Sequence, residues 1–435
     1  MRFDRSGMLA DRLEDLVPGG AHTYAKGPDQ YPEAMAPMIV RGEGAHVWDA
    51  DGNEYIEYGS GLRSVSLGHA HPEVNERVVA ALGQGCNYAR PSVLELEAAE
   101  RILSLVPAAD QIKFCKNGSD ATTAAVRLAR AATGRDLIAI CSDQPFFSVD
   151  DWFIGTTPMD AGIPQAIRDL TVGFPYGDPA ALAALFDAHP GRIAGVILQP
   201  TTAAAPPRGY LEEVRALCDR TGSLLIFDEM ITGFRWANGG AQTLYGITAD
   251  LSTFGKAMGN GYAVSALLGK REFMRAGGLD TRGERVFLLS TTHGAESVGL
   301  AAACAVADVY ESQPVIETLA ARGARLARGV REVAARWGIA DHLQVQGHDA
   351  NLVFVTRDPD GVPSQEYRTL FIQNLLLGSV LAPSFVVSAA LTEADIDRTV
   401  EVVDGAAAVY AAALSDGVSA HLVGRPVKPT LRRYA

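Results

Sequence analysis

The sequence contains no C-x-x-C pair, no run of lysine and arginine, and no apolar stretch of membrane length. Each absence removes a class of protein. The five cysteines (Cys86, Cys115, Cys141, Cys218 and Cys304) lie far apart. That spacing fits separate reduced thiols, not a disulfide framework or a zinc site. The formal charge is −13 and the sequence pI is about 5.2. A nucleic-acid binder carries a basic face, so this balance speaks against one, and the acidity serves solubility. The stretch "SVGLAAACAVADVY" is too short to span a bilayer and is broken by Asp308. The opening "MRFDRSGMLADRLEDLVPGG" is charged throughout and has no apolar signal segment, so a cytoplasmic location is expected. There is no internal repeat and no low-complexity linker. Several active-site signatures are missing too: no G-x-G-x-x-G after a strand, no Walker A run, no G-x-S-x-G and no H-E-x-x-H. His69 and His71 in "GHAHP" hint at a metal. No third ligand is spaced to complete a site, and a turn before a helix accounts for them.

What is present is length and apolar content. The 435 residues are 48% hydrophobic, enough for a large core and for two domains. Residues 1–17 predict a helix. "MIVRGEGAHVWDADGNEYIEY" predicts strands around an Asp51-Gly52 turn. Helices are expected over 72–82 and 94–106. A βαβ rhythm follows: strand "QIKFC", helix "SDATTAAVRLARAAT" and strand "DLIAIC", then strand "IAGVILQP", helix "GYLEEVRALCDRTG" and strand "SLLIFDE". Short apolar runs alternating with amphipathic helices indicate an α/β class, with a mostly parallel sheet covered on both faces. From about residue 312 the texture changes. Helical stretches at 314–337, 365–377 and 392–414 flank short strands near "NLVFVT" and "FVVSAAL", which predicts a smaller α+β domain. The expected division is 1–60 joining the small domain, 61–311 as the large domain, and 312–435 as the C-terminal small domain.

Three local features carry chemistry. Asp228 closes the strand "LLIFD", and ligands of open α/β sheets sit beyond the carboxyl ends of the strands. A strand-end acid is also an ordinary helix cap or structural hydrogen-bond partner. Lys256 lies in "STFGKAMGNG", where small residues and three glycines allow close approach of another group. A nucleophilic lysine needs that access and a depressed pKa, although an isolated lysine is usually a solvated one. In "KNGSDATTAAVRLAR", Asn117-Gly118-Ser119 leads from a strand end straight into a helix. Its first-turn N–H groups make an anion cradle, and the same residues also make a plain N-cap with Ser119 as the cap. A lysine for a carbonyl, a cradle for a phosphate and a carboxylate for a pyridinium nitrogen are together what pyridoxal phosphate demands.

With these pieces quoted, the chain resembles the class III aminotransferases, fold type I pyridoxal-phosphate enzymes. Within them it resembles the glutamate-1-semialdehyde aminomutase-like branch. The similarity runs over nearly the whole chain, through "VWDADGNEYIEYGSGLRSVSLGHAHPEV", "KNGSDATTAAVRLARAATGRD", "GVILQP", "FDEMITGFR", "TFGKAMGNG" and "ADIDRTVEVVD". The resemblance implies a mostly parallel seven-stranded sheet in the large domain. It makes Lys256 the Schiff-base lysine and Asp228 the partner of the pyridine nitrogen. Met230 matches the residue packed against a ring face, and Gly118 and Ser119, after Asn117, match the phosphate loop. Thr291 in "STTHGAES" matches a threonine that reaches the phosphate of a neighbouring subunit. That implies a homodimer with shared sites.

The departures from the family pattern bear on substrate. "QPFFSVDD" stands where the family has Tyr-His-Gly, so Phe146 replaces a stacking tyrosine and the phenol hydrogen bond is lost. Gln199 stands where glutamate is common. The N-terminal region "GGAHTYAKGPDQ" has no arginine for a substrate carboxylate, and "APSFVVSAALTEAD" lacks the acid that the mutases carry. The chain is similar in these respects to sugar and aminoglycoside aminotransferases. The expected reaction moves an amine from a donor such as L-glutamate to a carbonyl on a carbohydrate-like acceptor. His22, Tyr24, Lys26 and His293 are the candidate substrate residues. A glutamate-1-semialdehyde 2,1-aminomutase, an epimerase or decarboxylase, and a non-catalytic cofactor-binding subunit are the alternatives.

Overall fold

The computed structural model describes residues 1–144 and 146–434. The chain forms two compact units. One comprises Met1–Leu62, Ser66–His71 and Glu317–Arg432, and the other Arg63–Val65 and Pro72–Ile316.

The larger unit is built on seven strands: β1 (Gln111–Cys115), β2 (Leu137–Cys141), β3 (Thr171–Phe174), β4 (Ile193–Leu198), β5 (Leu224–Asp228), β6 (Leu251–Phe254) and β7 (Ser265–Gly269). Their order across the sheet is β1-β7-β6-β5-β4-β2-β3. β7 is antiparallel to both of its neighbours, and the pairs from β6 through β3 are parallel. Alternation assigns the faces. Ile138, Ile140, Leu224 and Ile226 pack with Ala121, Ala125 and Leu128 of the helix Gly118–Thr133. Leu137, Ala139, Leu225 and Phe227 pack on the opposite side with Leu182, Phe186, Leu211 and Val214, from the helices Pro179–Ala188 and Tyr210–Thr221. Both faces are therefore dry. This is why these strands read as unbroken apolar runs.

The sheet is tied together at the end away from the strand carboxyl termini of β5 and β6. Asp250, buried just before β6, accepts the Leu225 N–H at 2.8 Å, Arg215 at 2.8 Å and Lys270 at 2.6 Å. One carboxylate thus links β5, β6 and the end of β7. A buried N–H and a cation that lose their acceptor retain their desolvation cost.

In the smaller unit, Ile39–Glu43, His46–Asp49 and Glu54–Glu57 form an antiparallel sheet that Val380–Leu381 joins in parallel. Asp51, in the turn, accepts the N–H groups of Arg5 (2.7 Å) and Ser6 (2.8 Å), and so caps the first helix, Asp4–Leu16. The helices Val315–Arg336, Gln365–Leu377 and Glu393–Asp416 follow the sequence pattern closely. The strand expected over "FVVSAAL" does not form. Its N–H groups are dispersed, from Phe385 to Leu352 O, Val386 to Tyr58 O and Ala389 to Ser66 O, so no ladder develops. Val353–Thr356 pairs instead with Leu343–Gln346, a strand that the sequence reading passed over. Ser66–His71 belongs to this unit, held by reciprocal Gly44–His69 hydrogen bonds of 2.9 and 2.7 Å. The His69 ring lies 3.2 Å from Glu57. No helix among the described residues is long and apolar enough to cross a membrane.

The carboxylate link at Asp250 yields a stability prediction. Asp250→Ala should lower the unfolding free energy of the larger unit by about 3–5 kcal/mol, as for other broken buried charge pairs. Asp250→Asn should lie between the two. A thermal melt unchanged from the parent protein would show that the link carries no weight.

Candidate active site

β5 alternates its side chains, so Asp228 projects to the same face as Ile226, the side covered by the helix Gly118–Thr133. Asp228 is buried. Its Oδ1 accepts the Met230 N–H at 2.9 Å and the Thr253 hydroxyl at 3.2 Å. Burial raises its pKa above the usual carboxylate range, and the nearby Lys256 charge opposes that rise.

Met230, two residues on, sits between two glycines. A Cβ on Gly118 would lie 3.0 Å from the Met230 sulfur, and one on Gly255 would lie 2.8 Å from it and would also strike the Ser265 hydroxyl. Both glycines are required by close approach. They draw the start of the helix and the turn after β6 in against Met230.

Lys256 follows Gly255 and adopts φ +47°, a left-handed conformation strained for any residue with a Cβ. Burial lowers its pKa to about 8. Asp228 resists that shift, and the charges of Arg63 and Arg235 add to it. A lysine near 8 holds a usable fraction of neutral, nucleophilic amine at physiological pH.

The helix beside this pair is capped at Asn117, not Ser119 as the sequence suggested. The Asn117 N–H is bonded to Asp120 at 3.0 Å. Ser119 lies inside the first turn and its hydroxyl accepts the Val149 N–H at 3.0 Å. The "QPFFSVDD" segment is fastened to the same helix: Phe147 O accepts from Thr122 at 2.9 Å and Ser148 meets Thr123 at 3.1 Å. Phe147 is buried, whereas Phe146 is exposed and stands edge-on to Phe153, with centroids 5.6 Å apart. Gln199 is buried at the end of β4, where Gln144 grips its backbone by two hydrogen bonds of 2.7 and 2.8 Å.

Four further residues near this pair have no role that the sequence pattern alone assigns. Glu229 is fully buried, and accepts from Thr232 and from the N–H groups of Ala241 and Gln242, each of the latter at 2.8 Å. Burial pushes its carboxyl up to about 7. Its role is to fix the turn after Asp228. Thr253 orients Asp228. Arg235 is fully buried, its pKa lowered to about 10 by desolvation, and it donates to Arg63 O at 3.0 Å. Arg63 is half-buried. The terminal arginine of "FDEMITGFR" was the available signal for Arg235, and Arg63 had none.

The remaining candidates lie elsewhere. Thr291 and His293 are exposed on the larger unit. His22, Tyr24 and Lys26 are exposed on the smaller one, in a segment of short 3-10 turns.

Pyridoxal phosphate fits this set. Lys256 offers an amine driven toward its neutral form. Asp228 keeps Oδ2 for a pyridine N–H, because both hydrogen bonds from the protein fall on Oδ1. Met230 packs against Gly118 and Gly255, and the first-turn N–H groups after Asn117 suit a phosphate. A sheet of this order with these residues at its carboxyl end defines a fold type I pyridoxal-phosphate enzyme.

The chain belongs to the class III aminotransferases, whose family model matches residues 29–348. It is 36% identical to the glutamate-1-semialdehyde 2,1-aminomutase of Natronomonas pharaonis, over 84% of this chain and 82% of that protein. It is 32% identical to the enzyme of the same name from Thermomicrobium roseum, over 92% and 97%. Among solved structures, the internal aldimine form of the FumI protein of Sphingopyxis sp. MTA144 matches with a TM-score of 0.87 at 31% identity, covering 97% of this chain and 99% of that one.

Two expectations follow. Protein stripped of cofactor should capture added pyridoxal phosphate faster as pH rises, by about tenfold between pH 7 and 9, because the amine loses its proton near 8. A rate independent of pH over that range would contradict the depressed pKa. Gly255→Ala should separate Met230 from Ser265, cost about 1–3 kcal/mol through overpacking, and reduce the cofactor retained after desalting. Full retention with an unchanged melting temperature would show that the contact relaxes freely.

Proposed function

We propose that the protein transfers an amine from an external amino-acid donor, such as L-glutamate, to the carbonyl of a second small molecule. The juxtaposition of Lys256 and Asp228 carries this reading. When bound, pyridoxal phosphate supplies a protonated ring that withdraws electrons from the amine-bearing carbon of the substrate. Asp228 holds the proton on the ring nitrogen, and its raised basicity makes that grip firmer. Lys256 moves the proton at the substrate carbon in both half-reactions, and a pKa near 8 suits an amine that must give and take a proton near neutrality. The buried Met230 packs against Gly118 and Gly255 beside this pair.

An external donor is favoured over internal transfer because residues 18–31 carry no arginine and 382–395 place no acid where the mutases carry one. The acceptor is read as a neutral, carbohydrate-like carbonyl compound on the same ground. The second reading, a glutamate-1-semialdehyde aminomutase, draws on the names of relatives at 31–36% identity. The working form is read as a cytoplasmic homodimer with shared sites. Val93, 84% exposed, and the exposed Leu96 and Phe287 give the larger unit apolar surface that a partner would cover, and Thr291 is open to reach across.

The deciding experiment follows the visible absorbance of the holoprotein. L-Glutamate added alone should convert the lysine-linked cofactor to its amine form with release of 2-oxoglutarate. Turnover of glutamate-1-semialdehyde with no response to any donor would establish the mutase instead. Lys256→Ala should abolish turnover and the visible band. Asp228→Asn should retain cofactor while losing about 10- to 100-fold in rate, the value of a charged hydrogen bond. A fully active Lys256→Ala protein would overturn the assignment.

A further inference from the structure

The turn that carries Lys256 leaves ordinary backbone at two further places. Asn260 and Gly261 adopt φ of 42° and 97°, so the left-handed region is entered at Lys256 and again where the turn ends. Residues with side chains persist there only where surrounding contacts over-determine them. Within the turn, Met258 N–H bonds to Gly255 O at 3.0 Å, Asn260 N–H to Ala257 O at 3.1 Å and Tyr262 N–H to Gly259 O at 3.0 Å. These three bonds are local, and none of them ties the turn to another element.

Longer-range contacts fasten its two ends. At the start, Gly255 is wedged between Met230 and Ser265. At the finish, the Tyr262 hydroxyl donates to Asn75 Oδ1 at 2.8 Å, on the helix Pro72–Leu82. The next residue, Ala263, accepts Lys116 Nζ at 2.9 Å, and Lys116 directly precedes Asn117 of the cradle. The helix Ser297–Ser312 packs against both the turn and the helix Pro72–Leu82. It comes so close that a Cβ on Gly299 would stand 2.7 Å from Ala263 O. Tyr262 and Asn75 are both half-buried, and their bond joins positions 187 residues apart. Burial is non-directional, whereas a hydrogen bond fixes where the end of the turn lies.

We propose that Tyr262 is a positioning residue for Lys256: through Asn75 it pins the far end of the turn, so that the left-handed backbone at Lys256 does not relax. This rests on the reading of Lys256 as the amine that holds the cofactor. Released at that end, the turn lets Lys256 return to the right-handed region and admits water to the amine.

The test follows capture of pyridoxal phosphate by stripped protein as a function of pH, together with the melting temperature of the stripped protein. Tyr262→Phe keeps the ring and removes the hydroxyl. It should slow capture by about 3- to 10-fold, the value of one hydrogen bond. It should also move the rise of the rate with pH upward by about 0.5 pH, because a wetter amine holds its proton more firmly. Asn75→Ala should do the same, and the double variant should be no slower than either single one. The charges felt by the amine, on Asp228, Arg63 and Arg235, are the same in all three proteins. The melting temperature should fall by no more than about 3 °C. Capture in Tyr262→Phe at the parent rate and with the parent pH profile would overturn the proposal. So would slower capture with an unmoved profile, the mark of a residue that serves stability alone, and so would losses that add in the double variant. A Lys256→Ala protein that still forms the visible band would overturn the underlying reading instead, and this control separates the two failures.

Discussion

Removing Lys256 from water penalises its charged form, and Asp228 is the group that opposes the penalty. The two cannot relax into a solvated ion pair, because β5, β6 and the turn at Gly255 fix their backbones while Met230 fills the space beside them. Much of the larger unit serves this arrangement. Asp250 ties β5, β6 and β7 at the opposite end, and Glu229 clamps the turn that follows Asp228. The result is a carboxylate more basic and an amine less basic than either would be in solution. Both shifts are in the direction a pyridinium ring and an incoming carbonyl require.

Much of the frame was legible in the sequence. Strands buried on both faces read as continuous apolar runs, and helices of three turns or more read through their periodicity, so the α/β class and the long elements follow from residue type alone. The strand ending at Asp228 and the small-residue setting of Lys256 were readable for the same reason: each is a local pattern. Elements fixed by distant partners were not. "FVVSAAL" has the composition of a strand, yet its N–H groups go to three separate segments. Leu343–Gln346 is a strand only because Val353–Thr356 lies opposite.

The site divides along the same line. Asn117, not Ser119, caps the helix because the reciprocal bond to Asp120 depends on a three-residue spacing, which composition does not reveal. Glu229 and Arg235 were in plain view within "FDEMITGFR", but an acid beside another acid reads as more surface charge until its three donors are seen. Arg63 was the least legible. Its backbone lies in a left-handed run, Ser60 to Arg63, that no propensity favours, held at Arg63 by the buried Arg235 far along the chain.

The reversed direction of β7 has a temporal consequence. Among the described residues, β1, the strand that leads into the helix Gly118–Thr133, pairs in the sheet with β7 alone, so residues 111–115 wait for residues 265–269. During synthesis, everything from the cradle helix through β6 emerges before that edge can close. Such long-range pairing is slow to form and leaves an open edge in the interim. The nascent chain thus passes through a stage in which Asp228 and Lys256 have emerged but β1 has no sheet partner.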